Sequence, residues 1–313
     1  MRKVTKANII FTSLILIYLI MIFSIRLIPS KYLPYNVILV LPEVVLLLTT
    51  IVVGRMLRLE TLSSVPLNKV SFSTCIKSVA MAFCMIPLIS VINMFSSMID
   101  GNRVESTLNT TAMRNPLWLS LLLIAFIPAF VEEFIFRGVL FGVYKKRNPF
   151  YGMLLSAFLF GLMHMNINQF AYAFAIGFVF AMVTYATGSI VTTMIMHFII
   201  NGNSVVLSYV LTRLTEGINE TSSAIDTNQP EASQMVMVIY TIMKIFVFVI
   251  IPTILAVLLF ISICKENRGT KSMIAVFRKT MINMRGDEAK LIDGYLILGI
   301  GTCVLYMFYN LIC

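Results

Sequence analysis

Long apolar runs, separated by short polar segments, make up almost the whole chain. Runs of about 20 predominantly apolar residues are typical of helices that cross a bilayer. The pattern therefore predicts an all-α fold, a polytopic transmembrane helix bundle of eight or nine spans that forms one integral membrane domain over residues 1–313. We place the spans at residues 8–28, 34–53, 71–98, 116–144, 150–165, 169–187, 190–211, 235–264 and 291–313, with a polar loop at 100–115.

The composition supports this fold and excludes a soluble globular protein. Hydrophobic residues are 59% of the 313, charged residues are 12%, and the mean hydropathy is +0.92. Soluble domains average about 45–50% apolar and about 25% charged residues. The abundance of Lys, Ile and Asn is typical of a bacterium with a low GC content, so we expect a bacterial plasma membrane and its lipids around the protein.

The formal net charge of +10 predicts the orientation rather than a nucleic-acid partner. Lys and Arg gather in short segments between apolar runs instead of on one long surface, which is the positive-inside pattern. Segments around Arg55 and Lys145 and the basic segment 265–290 then lie in the cytoplasm, and the acidic loop around Glu220 lies outside. We therefore predict a cytoplasmic N-terminus and no nucleic-acid binding.

The fourth predicted span carries three charges, which marks it as a candidate functional site. Each charge at membrane depth costs roughly 2.5–3.5 kcal/mol or more, so such residues are rarely there without a role. Glu133 and Arg137 are four residues apart and share one helix face, whereas Glu132 is rotated by about 100°. One carboxylate is then left freer to act as a general base. The alternative is a structural ion pair that locks two helices together.

Both histidines of the chain also lie inside predicted spans. His164 is in the fifth span, and His197 is in the seventh, four residues before Asn201 and on the same helical stripe. With a rise of 1.5 Å per residue, the depths from the cytoplasmic ends are about 17 Å for Glu133, about 10 Å for His197 and about 22 Å for His164. These depths predict that the spans within 116–211 form a catalytic core around one shared cavity.

Three short motifs over residues 116–203 resemble the signature of the CPBP (Abi) family of intramembrane proteases. That family includes the type II CAAX prenyl endopeptidase and bacterial proteins linked to bacteriocin immunity and peptide processing. The resemblance implies that Glu133 and Arg137 support the site. The motifs are Glu132-Glu133-x-x-x-Arg137, Phe160-x-x-x-His164 and His197-x-x-x-Asn201.

The same resemblance implies a role for each of four catalytic residues. Glu132 and His164 would activate a water molecule, and His197 and Asn201 would stabilise the oxyanion. Peptide hydrolysis needs a base for the water and fixed donors aimed at the developing negative charge. We therefore expect an intramembrane endopeptidase that cuts a membrane-associated peptide or protein, which could be prenylated or resemble a bacteriocin or signal peptide, in a cavity open toward the cytoplasm.

A zinc site is the main alternative to a mechanism without a cofactor. Glu132, His164 and His197 are a donor set that zinc accepts, with the fourth position open. However, the chain has no His-Glu-x-x-His arrangement, and an asparagine four residues after a histidine suits an oxyanion donor better than a zinc ligand. We therefore expect that no cofactor is required, and we keep Zn²⁺ as the alternative.

Two other functions would also use charged residues inside the membrane. A non-proteolytic immunity or sensor-modulating protein could keep the same fold and act by binding. A proton-coupled transporter would use buried Glu, Arg and His, but we would expect related halves with paired broken helices, and the sequence shows no such symmetry. The protease remains the leading hypothesis.

Overall fold

The structure is a computed structural model that describes residues 1–59, 65–100, 103–221, 245–267, 273–276, 278 and 291–312. Within these residues the chain is helical apart from short connections, and one isolated β-bridge joins Leu67 to Ser189. The helices are α1 (Lys3–Leu27), α2 (Tyr35–Met56), α3 (Phe72–Asp100), α4 (Arg103–Arg114), α5 (Leu117–Tyr144), α6 (Pro149–Met163), α7 (Ile167–Thr187), α8 (Val191–Thr221), α9 (Ile251–Asn267) and α10 (Gly294–Ile312).

The transmembrane helix bundle is confirmed. In the part of the chain that the structure describes, 8 helices are long and apolar enough to cross a membrane, and α6 is a shorter apolar helix. The predicted loop at 100–115 is corrected, because most of it forms α4. This segment is polar overall, yet it buries Thr111 and Ala112 against its neighbours. The beginning of the predicted eighth span, residues 235–244, and most of the basic segment 265–290 lie outside the described residues.

Helix α5 lies at the centre of the bundle, where it contacts α2, α6, α7 and α8. It is not a regular α-helix. The turns at Leu121–Phe126 and Phe134–Leu140 are π-helical, and they flank the α-helical segment Ile127–Glu133. Turns of π-helix are rare in proteins as a whole, and those that do occur are often found at functional sites. Here they lie on either side of the segment that carries Glu132 and Glu133.

Helix α6 ends inside the bundle, and this makes room for a cavity. It begins with Asn148, whose side chain accepts a hydrogen bond from the Tyr151 N–H, and with Pro149 in its first turn. Its 15 residues extend about 22 Å at 1.5 Å per residue, which is less than the thickness of a bilayer core of about 30 Å. The chain turns at His164 and returns as α7, so His164 lies within the membrane layer.

The turn between α6 and α7 is held by a network around Asn166. Its side-chain oxygen accepts the Gln169 N–H at 2.7 Å, and its amide nitrogen donates to the His164 carbonyl at 2.9 Å. Met165 has a φ of 53°, which is uncommon for a residue that is not glycine. Strained residues of this kind cluster at functional sites, so this turn is built to fix the residue before it, His164.

Candidate active site

A cavity of about 740 Å³ reaches into the bundle from one end, and the four predicted catalytic residues line it. Glu132 comes from α5, His164 from the turn after α6, and His197 and Asn201 from α8. Helices α2, α3 and α4 supply much of the remaining wall. The structure thus brings together side chains that the sequence spreads over three separate segments. Their individual roles remain predictions.

His197 contacts both carboxylates of α5. Its Nδ1 lies 3.1 Å from Oε1 of Glu133, and its Nε2 lies 3.6 Å from Oε2 of Glu132. Because a carboxylate accepts hydrogen bonds, Nδ1 is the nitrogen that carries a proton toward Glu133. The His197 ring is therefore oriented by Glu133, and its other nitrogen faces Glu132 at the cavity wall.

Glu133 and Arg137 form a fully buried ion pair behind the cavity. Arg137 Nη1 donates to Glu133 Oε1 at 2.7 Å, and both side chains have no exposure to solvent. The guanidinium carbon lies 4.2 Å from the ring centre of Phe160 and 5.2 Å from that of Phe180. A Cβ at Gly177 would come within 3.2 Å of Arg137 Nη2, so glycine is needed there for this close approach. The pair joins α5 to α6 and α7, as the structural alternative expected, and it also orients His197.

His164 is held in one tautomer by the main chain. Its Nδ1 lies 2.9 Å from the carbonyl oxygen of Phe160, and a carbonyl can only accept, so Nδ1 donates this hydrogen bond. In the neutral ring, Nε2 is then an acceptor. The ring of Phe160 packs edge-on against His164 and also against His197. The Phe160-x-x-x-His164 motif therefore both orients His164 and spaces the two histidines.

Asn201 contacts an irregular part of α5. Its Nδ2 donates to the carbonyl oxygen of Ile124 at 3.4 Å. Four residues later α5 has Pro128, which has no N–H to donate back to that carbonyl. An amide nitrogen carries two hydrogens, so one remains for a ligand in the cavity. The contact fixes Asn201 without using up its capacity as a donor.

The contacts differ in one respect from the pairing that the family resemblance implies. That pairing joins Glu132 to His164, whereas the ion-pair contact of Glu132 in the structure is with His197. Both histidines still line the same cavity as Glu132. Glu132 and His164 would act together through a water molecule that hydrogen-bonds to both. Glu132 and His197 can act together directly.

The alternative zinc site does not fit this arrangement. Among the described residues, no group of three or more His, Cys, Asp and Glu side chains is placed to hold a metal ion. This includes the set Glu132, His164 and His197, which the sequence offers as possible ligands. We therefore derive no step through a metal.

The mouth of the cavity makes two sequence predictions incompatible. Exposed residues of α4, Glu105 and Thr107, line the cavity, so it opens at the end of the bundle where α1 ends and α2 begins. The basic turn after α5, at Lys145, lies at the opposite end. A cytoplasmic N-terminus and a cytoplasmic opening cannot both hold. If the N-terminus is cytoplasmic, as the basic segments predict, the mouth faces the outer side.

Sequence reasoning missed a buried charged residue in the wall of the cavity, Glu43. It lies in the middle of α2, directly after Pro42, and it is only 8% exposed. An ionisable residue inside a membrane span is a candidate functional residue, and this argument applies to Glu43 as well as to Glu132. Glu43 is the one acidic residue of the predicted span 34–53. It was missed because no histidine or second charge lies near it in the sequence.

Residues 114–202 match the family model described as "Type II CAAX prenyl endopeptidase Rce1-like". The resemblance to the CAAX protease family is confirmed over this segment. The matched segment contains all six predicted site residues and most of the central helices α5 to α8. It is less than a third of the chain, and Glu43 lies outside it.

A relative in Bacillus subtilis (strain 168), named "Putative membrane peptidase YdiL", is 28% identical over 102 residues. The match covers 32% of this chain and 42% of that relative, so the chain aligns with less than half of the relative's length. No solved structure matches the chain. The comparisons thus show a likeness to CAAX proteases over the segment that carries the predicted site residues.

Proposed function

We propose that the protein is an intramembrane endopeptidase that hydrolyses a peptide bond in a membrane-associated peptide or protein at a bacterial plasma membrane. The contact between Glu132 and His197 across 3.6 Å, on a cavity that His164 and Asn201 also line, carries this proposal. The name of the Bacillus subtilis relative and the matched family description support it. We expect no cofactor to be required.

In the proposed mechanism, Glu132 takes a proton from a water molecule that attacks the scissile carbonyl. The Nε2 of His164, an acceptor in its held tautomer, orients that water. In its imidazolium form His197 keeps its Nδ1 proton on Glu133 and donates from Nε2. This donor and the second hydrogen of Asn201 Nδ2 stabilise the oxyanion, each contributing about 2.7–4 kcal/mol to transition-state binding. Protonated Glu132 then gives its proton to the leaving amine, which restores the free enzyme.

Comparison of the peptides in cells that carry wild-type protein or Glu132→Ala tests the function. We expect at least one membrane-derived peptide to occur as the cleaved product in wild-type cells and as the uncleaved substrate in cells with the variant. The matched control is Glu266→Ala, because Glu266 binds Lys77 at the end of α9 and lies away from the cavity. Unchanged peptides with normal levels of the variant, and an unchanged cellular phenotype, would instead indicate the immunity or sensor-modulating protein.

Purified protein should cleave its substrate at the same rate with and without a strong chelator of divalent metals. The reason is that, among the described residues, no three His, Cys, Asp or Glu side chains converge on a position for a metal ion. The measurement is cleavage in detergent beside metal analysis of the same sample. Stoichiometric zinc, together with cleavage that the chelator abolishes and zinc restores, would overturn the metal-free mechanism.

The side of the membrane on which the cavity opens can be tested with single cysteines. Glu105→Cys, at the mouth, should react with a membrane-impermeant maleimide in intact cells. Lys146→Cys, in the basic turn after α5, should react only after permeabilisation. Both substitutions are made after the five native cysteines have been replaced. The reverse pattern would put the N-terminus outside and the mouth in the cytoplasm.

A further inference from the structure

Glu43 is a buried carboxylate in the cavity wall. Its side chain is more than nine-tenths buried, and its Oε2 atom has no hydrogen-bond partner among the described residues. It lines the same cavity as Glu132 and lies close enough to interact with it electrostatically. The mechanism proposed above gives it no task. A buried charge without a partner is costly, so its presence needs a reason.

The charges around the cavity are of one sign. Glu43, Glu105 and Glu132 line it, whereas no Lys or Arg is among the lining residues that the structure describes. Arg137 lies behind the wall, where it binds Glu133 and packs on aromatic rings. Glu43 therefore has no Lys or Arg beside it in the described wall of the cavity. A cavity of one sign with walls of low dielectric concentrates ligands of the opposite sign.

The groups next to Glu43 suit a long cationic side chain. Ile38, Leu39 and Leu46 of the same helix line the cavity and offer apolar surface. Pro42 has no N–H to donate to the carbonyl of Ile38, so this part of α2 is rich in acceptors and poor in donors. Lys and Arg combine an apolar stem with a head that only donates hydrogen bonds. Such a side chain would complement the apolar surface and the carboxylate together.

We propose that Glu43 determines specificity by binding a positively charged group of the peptide substrate near the scissile bond, while Glu132 acts on the bond itself. This inference rests on the proposed peptidase function. The cation can be a Lys or Arg side chain or a free amino terminus, since both present N–H donors and a positive charge. Glu43 lies outside the matched family segment, so this specificity belongs to the part of the chain that α2 contributes.

The test uses full-length purified protein in detergent and a set of synthetic peptides. Each peptide is made with Lys or with norleucine at one position beside the scissile bond, and with a free or an acetylated amino terminus. Wild-type protein should prefer the cationic version by at least about 30-fold in kcat/KM, the effect expected for a buried charge pair. The acetylated series tells whether a side chain or the amino terminus supplies the charge.

Glu43→Gln should remove this preference and leave kcat/KM for the neutral, acetylated peptide within about twofold of wild type. Glu43→Asp keeps the charge and should keep most of the preference, and Glu266→Gln is the control for loss of a carboxylate elsewhere in the bundle. Because an unpartnered carboxylate is removed, Glu43→Gln should unfold at least as late as wild type on heating. Equal slowing of all peptides by Glu43→Gln, or an unchanged preference, would overturn the proposal.

A binding measurement separates this inference from the peptidase function. In the Glu132→Gln background, which should not cleave, the fluorescent Lys peptide should bind at least about 30-fold more tightly than the norleucine peptide, and addition of Glu43→Gln should abolish the difference. If the peptides bind in this way but wild-type protein cleaves none of them, the proposed peptidase function is wrong and the proposed cation site still holds. If wild-type protein cleaves the peptides without any preference for charge, the peptidase function holds and the cation site is wrong.

Discussion

Glu132→Gln should lower kcat/KM for peptide cleavage by about a thousandfold, the scale of losing a general base. His197→Ala should cause a loss of similar size, because Nε2 of His197 lies 3.6 Å from Oε2 of Glu132 and its other nitrogen is held by Glu133. Residues that act as a unit do not contribute additively. The double variant should therefore be little slower than either single variant. The measurement is cleavage of a defined peptide by purified protein.

The same cycle distinguishes the pairing in the structure from the pairing that the family resemblance implies. If Glu132 works with His197, then Glu132→Gln and His164→Ala should be more nearly additive than Glu132→Gln and His197→Ala. Glu266→Gln serves as the control for loss of a carboxylate at a site distant from the cavity. Full additivity of Glu132 with His197, or coupling of Glu132 to His164 alone, would contradict the arrangement seen here.

Arg137→Met should destabilise the protein by about 3–5 kcal/mol, because it leaves the Glu133 carboxylate buried without its cation. The double variant Glu133→Gln/Arg137→Met should recover much of this loss, since no uncompensated charge then remains. Unfolding in detergent mixtures of increasing denaturing strength measures the difference. Lys77→Met is the matched control: it breaks a pair with Glu266 at the protein surface, and it should cost far less stability, because such pairs are screened by solvent.

Equal losses for Arg137→Met and Lys77→Met would contradict a structural role for the buried pair. Activity gives a second readout. Glu133 also holds Nδ1 of His197, so Glu133→Gln/Arg137→Met should still lower kcat although it recovers stability. The buried pair therefore links the packing of α5 to the orientation of a catalytic ring.

The sequence predicted the spans well because membrane insertion leaves a simple pattern. A run of apolar residues of the right length is enough to locate α1, α2 or α7, and the observed ends differ from the predicted ones by a few residues. Helix α4 was missed, since its sequence is polar and lies between two spans. Apolarity predicts depth in a membrane, but it carries no information about a helix that lies outside the apolar layer.

The site was predicted in outline and not in its contacts. The site could be located because ionisable residues are rare in the apolar spans, where the chain has its two histidines and one helix with two adjacent glutamates. The contact of Glu132 with His197 could not be predicted, because it depends on the π-helical turns of α5, which alter the direction of side chains without altering the apolar pattern. For Glu43 the sequence shows an acidic residue inside a predicted span, but it does not show that this residue lies at the wall of the cavity.

The early end of α6 imposes a condition on the length of that helix. One residue inserted between Pro149 and Met163 would turn His164 by about 100° around the helix axis and shift it by about 1.5 Å. The ring would then face α7 or lipid instead of the water it is meant to orient. Insertions and deletions in this short helix are therefore expected to be as damaging as loss of the histidine itself, although none of them changes a polar side chain.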